Sequence, residues 1–240
     1  MHIVTQIISE IPHTSVELRW YSPFAGVAAH RVRQLRGAIA KAFPDDSRFH
    51  QHDGEGNQLY RYPHIQYRWK NGYGIVEGWH TGADTLLNVR WLNLSLRLGD
   101  DKMIVSDAIS STQYAQFGVS SYLIYYNLVS PVLLFNQDNY KKYQKLEKAA
   151  QQYERDRLLV AQLLAAMDGL GVRFETQLYA AFTQIKISPC RYKNQNMIGI
   201  TGSFVTNAIV PCGFAIGHAV SHGYGWIVPA NKIEDNKSQK

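Results

Sequence analysis

The sequence predicts an α+β protein made of two tandem ferredoxin-like (RRM-like) domains with antiparallel sheets. With 240 residues, 45% of them hydrophobic and 18% charged, the chain can form one large or two small globular cores. The first half reads strand, helix, strand, strand, helix, strand, which is the ferredoxin-like order. The second half is expected to repeat this topology, and that expectation rests on element order alone, without a sequence repeat.

The first elements are an alternating strand and a basic helix. Residues 2–10 alternate apolar and polar side chains, as a half-buried strand does. Ser22 is a candidate N-cap, with Pro23 at the first position of a helix over 24–42. This helix carries four cationic side chains, Arg31, Arg33, Arg36 and Lys41.

A hairpin and a second helix complete the predicted first domain. The dipeptide Asn71-Gly72 predicts a tight turn between two strands. These strands cover 59–69 and 73–77. The remaining elements are a short helix and two strands, over 81–89, 91–98 and 102–110.

The second half begins with an alternating strand over 121–129. A helical pattern then fills 139–168, and because Arg157 interrupts its apolar stripe, one helix and two helices both remain open. Residues 172–182 fit either a helix or a strand. Three more strands are predicted, over 184–192, 197–209 and 224–228.

We therefore expect three segments along the chain. The first domain is placed at residues 1–115 and the second at 118–229. Residues 230–240 are polar and are predicted to form a flexible tail.

Composition limits the class of protein. The formal net charge of +6 suits a polyanionic partner, although charge alone is a weak indicator. Cys190 and Cys212 form no C-x-x-C pattern, so neither a disulfide framework nor a zinc site is expected. The stretch Tyr122–Phe135 is too short and too interrupted to span a bilayer, and the N-terminus has no signal-peptide pattern. We expect a cytoplasmic protein without membrane contact and without a cofactor.

A glycine-rich segment, residues 213–226, lies near the C-terminus. Glycines let backbone N–H groups approach phosphates closely. The spacing of Gly213, Gly217, Gly223 and Gly225 fits neither a P-loop nor a dinucleotide fingerprint. A tight connection into the last strand is the alternative interpretation.

Several stretches resemble one known family in the order in which that family has them. These stretches are QLRGAIAKAFP, FHQHDGEGNQLYRYPHIQYRWKNGYGIVEG, LVSPVLLFNQDNYKKYQKL and IGHAVSHGYG. They resemble CRISPR-associated repeat-processing endoribonucleases. The resemblance implies two ferredoxin-like domains that bind CRISPR repeat RNA. It also implies one metal-independent cut per repeat, by attack of a 2′-hydroxyl on the adjacent phosphate.

The resemblance assigns roles to particular residues. The family's active-site histidine falls in the loop after the basic helix, which favours His52, with His50 second, and Arg36 could stabilise charge on the phosphate. Exposed loop histidines, or a transition-metal site formed with Asp53 and Glu55, remain alternatives. The residues implied in RNA binding are Arg31, Arg33, Lys41, Gly217, His218, Ser221, His222, Gly223 and Gly225.

The chain also departs from the family pattern. His218 and His222 stand where relatives often carry Lys and Arg, which leaves His222 as a further catalytic candidate. Between Asp53 and Trp69 there is no lysine. A silent relative that binds repeat RNA within an effector complex therefore remains open, as do a monomer and a homodimer. A third interpretation is an unrelated ferredoxin-like protein.

Overall fold

The computed structural model describes residues 5–49, 61–173, 175–192 and 195–230. Within them, seven strands form one antiparallel sheet and two more form a separate hairpin. The strands are β1 Thr5–Arg19, β2 Ile65–Lys70, β3 Tyr73–Trp79, β4 Ser95–Leu98, β5 Asp101–Ile104, β6 Asp107–Leu133, β7 Ala180–Tyr192, β8 Gln195–Ile209 and β9 Ile227–Pro229. The α-helices are α1 Ala28–Ala42, α2 Thr81–Leu87, α3 Gln137–Gln144 and α4 Lys148–Asp168.

The first half has the ferredoxin-like sheet order. Its strands lie side by side as β6-β1-β3-β2, which is the order fourth, first, third, second. The predicted hairpin turn is confirmed, because Lys70 pairs with Tyr73 across a turn in which Asn71 has φ 53° and Gly72 has φ 82°. Asparagine and glycine are the residues that tolerate such left-handed conformations.

The fourth strand of this half differs from the prediction. Residues 91–98 and 102–110 were expected to supply the closing strands, but β4 and β5 pair only with each other as a small hairpin. The first part of β6, residues 107–120, takes the fourth position and pairs with β1 along its length. The alternating pattern of a strand does not indicate which neighbour the strand pairs with.

The first helix also begins later than its sequence predicts. Val27 is the N-cap residue of α1, so the expected cap at Ser22 and first turn at Pro23 are wrong. The backbone N–H of Phe24 instead donates to the carbonyl of Gly72 at 2.9 Å, which holds the preceding segment against the hairpin turn. The Phe24 ring packs under the Arg31 guanidinium at 4.0 Å.

The second half repeats the same sheet order. Its strands lie as β9-β6-β8-β7, again fourth, first, third, second. The helical stretch is two helices, and the break falls at residues 145–147 rather than at Arg157. In the segment 172–182, which the sequence left undecided, a strand begins at Ala180.

The glycine-rich segment occupies the place of the second helix in this half. Between β8 and β9 its only helical turn among the described residues is a 3₁₀ turn, Val220–His222. The predicted fold class, two tandem ferredoxin-like units with antiparallel pairing, is confirmed. The second unit lacks the second helix of the ferredoxin-like order, and the glycine-rich segment fills that position as a loop.

One strand joins the two halves. β6 is 27 residues long, and it pairs with β1 through residues up to 120 and with β8 from Gly118 onward. Trp79 of β3, Phe117 of β6 and Phe214 of the glycine-rich segment pack edge to face within one hydrophobic cluster, with ring centroids 5.2 to 6.4 Å apart. No helix in the described part of the chain is long and apolar enough to cross a membrane.

Candidate functional site: a cleft between the two halves

The glycine-rich segment folds back on itself as a short hairpin. The Ile216 N–H donates to the Gly225 carbonyl at 3.0 Å, and the Gly225 N–H donates to the Pro131 carbonyl at 2.9 Å. Gly225 has φ +69°, and a Cβ placed there would lie 1.8 Å from the Ile216 carbonyl oxygen. Only glycine therefore permits this close backbone pairing.

The tip of that hairpin lies on the basic helix of the other half. A Cβ placed on Gly223 would lie 3.0 Å from the Val32 side chain of α1 and 3.3 Å from the carbonyl oxygen of Tyr67 in β2. The 3₁₀ turn contacts both α1 and β2. The two motifs that the sequence singled out, the basic helix and the glycine-rich segment, thus meet in space.

A buried arginine fastens the glycine-rich segment to β2. Arg68 is 1% exposed, and its guanidinium donates to the carbonyl of Val220 at 3.2 Å and to that of Gly213 at 3.4 Å. It also donates to the Gln66 side chain at 2.8 Å. Burial lowers the pKa of Arg68, and the negative charge of Glu77 acts in the opposite direction. No carboxylate forms an ion pair with Arg68 among the residues described.

A cluster of aromatic and cationic side chains surrounds the tip. The Tyr192 ring lies 5.0 Å from the His222 ring and 6.4 Å from the Tyr224 ring, both edge to face. Burial raises the pKa of Tyr192, while the positive charge of Arg36 lowers it. The net shift is upward, so the phenol stays protonated at neutral pH and keeps its O–H donor.

These elements enclose a cleft of about 460 Å³. Its walls come from α1, β2, the bend of β6, the end of β7 and the glycine-rich segment. Arg33, Arg68 and His222 are the cationic or titratable nitrogen side chains that line it within the described residues. Burial raises the pKa of Tyr224, and the charge of Arg33 lowers it. The cleft therefore combines aromatic walls with positive charge.

The segment that leads into β2 is anchored to the glycine-rich hairpin, to the start of α2 and to the end of α4. The Tyr62 hydroxyl donates to the Ala215 carbonyl at 2.7 Å. His64 lies 3.1 Å from the carbonyl oxygen of Gly169 and 2.8 Å from the hydroxyl of Thr81. Burial lowers the pKa of His64, so its neutral form is favoured.

Not all predicted site residues lie at the cleft. The Arg31 guanidinium pairs with Asp101 at 3.4 Å and donates to Gln34 at 2.8 Å, away from the cleft lining. Lys41 is exposed in the last turn of α1, and Ser221 is buried in the 3₁₀ turn. Gly217 packs against β6, where the backbone N–H of His218 donates to the Leu133 carbonyl at 3.0 Å.

His50 and His52, with Asp53 and Glu55, lie outside the described residues. The chain enters that segment at Phe49, which is 2% exposed and accepts a hydrogen bond from the Tyr67 hydroxyl at 3.0 Å. The entry point is thus fixed beside α1 and β2.

Among the residues that the sequence did not single out are Arg68 and Trp226 in the cleft lining and Tyr192 beside His222. Arg68 alternates with apolar neighbours along β2, a pattern that predicts a solvated side chain. Its burial comes from the glycine-rich segment, which lies 145 residues further along the chain. No local signal in the sequence indicates such a contact.

Comparison with known proteins identifies the family. The profile of the Cas6b N-terminal domain matches residues 14–115, and that of the Cas6b C-terminal domain matches residues 118–230. A crystal structure of a Cas6b aligns over 92% of this chain and over 100% of the crystallised chain, with TM-score 0.81 and 23% identity. A second Cas6b, described as a CRISPR RNA processing endoribonuclease, aligns over the same shares with TM-score 0.71 and 22% identity.

A sequence relative of unassigned activity also matches. An uncharacterized protein of Methanocaldococcus jannaschii is 28% identical over 146 residues, which cover 61% of this chain and 97% of that protein. The solved structures share the fold with this chain, and the two domain profiles together cover most of its length. The chain therefore belongs to the Cas6b family.

Proposed function

We propose that this protein is a metal-independent endoribonuclease that cuts CRISPR repeat RNA within a precursor transcript. One observation carries the proposal: the glycine-rich segment of the second half lies on the arginine-bearing helix of the first half, across a cleft with aromatic walls. Such a cleft suits a polyanion with exposed bases, which is single-stranded or partly unpaired RNA.

The reaction needs no nucleophile from the protein, because RNA carries its own. A base removes the proton from a 2′-hydroxyl, whose oxygen attacks the adjacent phosphorus. The bond from phosphorus to the 5′-oxygen breaks, and an acid protonates that oxygen. The products are a 2′,3′-cyclic phosphate and a 5′-hydroxyl. The protein supplies positioning, proton transfer and charge stabilisation.

We assign the proton transfer to His52 first and to His50 second. In support, Phe49 at the entry to that segment accepts a hydrogen bond from Tyr67 of β2, the strand whose Arg68 and Trp69 line the cleft. His222 is the alternative proton carrier, because it lies in the cleft against Tyr192. An imidazole with an ordinary pKa near 6.5 can both accept and donate a proton near neutral pH.

The remaining residues bind and orient the phosphates. Arg36 lies on α1, and its positive charge acts to lower the pKa of both Tyr67 in β2 and Tyr192 in β7. We assign to it the stabilisation of charge on the scissile phosphate. Arg33 and the backbone of the glycine-rich segment contact neighbouring phosphates in this proposal. Arg31 and Lys41 would act on RNA outside the cleft.

The test is cleavage of the repeat RNA from the protein's own locus in excess EDTA. The wild-type protein is expected to cut at one position, and His52→Ala is expected to slow cutting by about 10²- to 10⁴-fold, the usual contribution of a general acid or base. His50→Ala and His222→Ala identify the partner of His52 in proton transfer. His80→Asn is the matched control, since His80 is exposed, lies away from the cleft and has φ 52°, which asparagine tolerates.

Two outcomes would contradict the proposal. Loss of cutting in EDTA with recovery on adding a divalent ion would show that the reaction needs a metal. Tight and selective binding of repeat RNA without any cutting would identify a silent RNA-binding subunit of an effector complex.

A further inference from the structure

One face of the second-half sheet points away from α4. Tyr126 and Phe204 pair across β6 and β8, and both belong to the core that α4 covers. Because side chains alternate along a strand, Tyr125 and its partner Val205 point to the opposite face. We call this surface the open face. Its members are Tyr125, Asn127 and Val129 in β6, Thr201, Ser203 and Val205 in β8, and Gln184 and Lys186 in β7.

The open face continues into the floor of the cleft. Further along the same strands, Pro131 of β6 and Cys190 of β7 line the cleft. Gly199 of β8 lies between them, since a Cβ placed there would be 2.6 Å from the Pro131 Cβ and 2.5 Å from the Cys190 Sγ. Gly199 is two residues from Thr201 and therefore lies on the same face. Val129 belongs to both surfaces, because it also lines the cleft. The open face and the cleft are thus one continuous surface.

The side chains of the open face have the chemistry that single-stranded RNA requires. None of its members is acidic, and Lys186 is exposed and adds a positive charge. Asn127 and Gln184 are exposed amides, which can donate to and accept from ribose hydroxyls and base edges. Tyr125 is 59% exposed and offers a ring on which an unpaired base can stack. An apolar protein partner would instead bury the amides and the lysine without hydrogen bonds, which is costly.

The distance from the cleft to this ring is short. Tyr125 lies four residues along β6 from Val129, which corresponds to about 13 Å at the usual rise of a strand. RNA that leaves the cleft past Val129 therefore reaches Tyr125 within a few nucleotides.

We infer that the stretch of RNA adjoining the one in the cleft runs over the open face, where one unpaired base stacks on Tyr125 and Lys186 attracts a phosphate. The inference deepens the proposed function and rests on RNA being the ligand of the cleft. It gives the second half a role that the chemistry of the cut does not require, because it lengthens the RNA that the protein recognises.

The test is the affinity of the full-length protein for repeat RNA with a 2′-deoxy nucleotide 5′ of the scissile phosphate, so that the RNA stays intact. Unmodified repeat RNA serves if the protein does not cut. Tyr125→Ala is expected to weaken binding by about fivefold or more, the usual effect of removing one stacking ring. Tyr125→Trp keeps a ring and should stay within about twofold of the wild type. The matched control, Tyr153→Ala, removes a tyrosine that is 71% exposed on α4 and should leave the affinity unchanged.

Shortening the RNA locates the contact. Nucleotides are removed one at a time from either end. The difference in affinity between the wild type and Tyr125→Ala should vanish at one truncation from one end only, because the stacked base is then missing while the cleft is still filled. A Tyr125→Ala affinity within twofold of the wild type, an equal loss in Tyr153→Ala, or a difference that persists on every shortened RNA that binds would overturn the inference.

Failure of this inference and failure of the proposed function can be told apart. With unmodified RNA and saturating protein, Tyr125→Ala should cut at the wild-type rate, because Tyr125 does not line the cleft. Normal cutting together with an unchanged affinity of Tyr125→Ala would remove the open-face contact alone. A Tyr125-dependent affinity in a protein that cuts no RNA would keep the RNA path and remove the nuclease.

Discussion

Single buried polar residues hold the two halves of this protein together at the cleft. Arg68 is fully buried without an ion-pair partner among the described residues, yet four hydrogen bonds satisfy most of its guanidinium. Two of these bonds reach the glycine-rich segment. A buried charge is tolerated only with such partners, so the position of Arg68 and that of the segment depend on each other.

His64 gives the stability of this arrangement a pH dependence. Burial lowers its pKa in the folded protein below the ordinary value near 6.5, so the folded state binds fewer protons than the unfolded state around that pH. Its contribution to the free energy of unfolding is therefore complete above pH 6.5 and is lost as the pH falls through the folded pKa. Because the residue is half-buried, the loss should be at most about 1 kcal/mol.

Urea unfolding of wild type and His64→Gln at pH 7.5 and pH 5.5 measures this effect. Glutamine does not titrate in this range, so the variant should lose less stability on acidification than the wild type. Other histidines contribute equally to both proteins and cancel in the difference. An identical loss in the two proteins would show that His64 is not the group responsible.

The glycine-rich segment shows how an element can be replaced without loss of the fold. The second half lacks the helix that α2 provides in the first half, and a hairpin with a 3₁₀ turn fills the position between β8 and β9. The backbone approaches of Gly223 to α1 and of Gly225 to Ile216 define its path.

Replacing Gly225 tests whether that path is required. In Gly225→Ala, the alanine must adopt a left-handed φ, and its Cβ would clash with the Ile216 carbonyl oxygen. The substitution is therefore expected to destabilise the protein by roughly 3 kcal/mol or more. Gly171→Ala is the matched control: it has φ +78° but open space around its Cβ, and should cost about 1 kcal/mol. Thermal unfolding of both variants gives the comparison. Equal losses would mean that the close pairing at Gly225 contributes nothing.

Elements with local signals were predicted well, and those set by distant contacts were not. The turn at Asn71-Gly72 requires left-handed residues and was found where the sequence put it. The start of α1 was misplaced, because a hydrogen bond from Phe24 to Gly72, 48 positions away, keeps residues before Ala28 out of the helix. The cap pattern at Ser22 and Pro23 carries no information about that contact.

Across the whole molecule, the site exists only because the two halves share β6. Arg36, Arg68, Tyr192 and His222 belong to four separate stretches of sequence, and the shared sheet brings their elements together around one cleft. The sequence indicated the basic helix and the glycine-rich segment as separate features. The sequence did not show that these two features lie together, because their contact depends on the topology of the shared sheet. The division into domains at residues 1–115 and 118–229 stays a prediction, and β6 runs through that boundary without a break.

The salt dependence of RNA binding tests whether the cleft faces the backbone of the RNA. Each phosphate contact adds about 0.7 to the slope of log affinity against log salt for a single strand. Arg33→Gln should lower the slope by about that amount and weaken binding. Arg90→Gln removes an exposed charge that does not line the cleft, and its slope should match the wild type. A slope unchanged by Arg33→Gln would place the RNA elsewhere.

The most direct test of the account replaces single riboses of the repeat RNA. In EDTA, one 2′-deoxy nucleotide immediately 5′ of the scissile phosphate is expected to abolish cutting while leaving the affinity within about twofold, because only the nucleophile is lost. The same substitution at other positions should have little effect, and the upstream product should end in a 2′,3′-cyclic phosphate. Cutting that persists with the 2′-deoxy nucleotide at that position, or a 5′-phosphate on the downstream product, would contradict the mechanism.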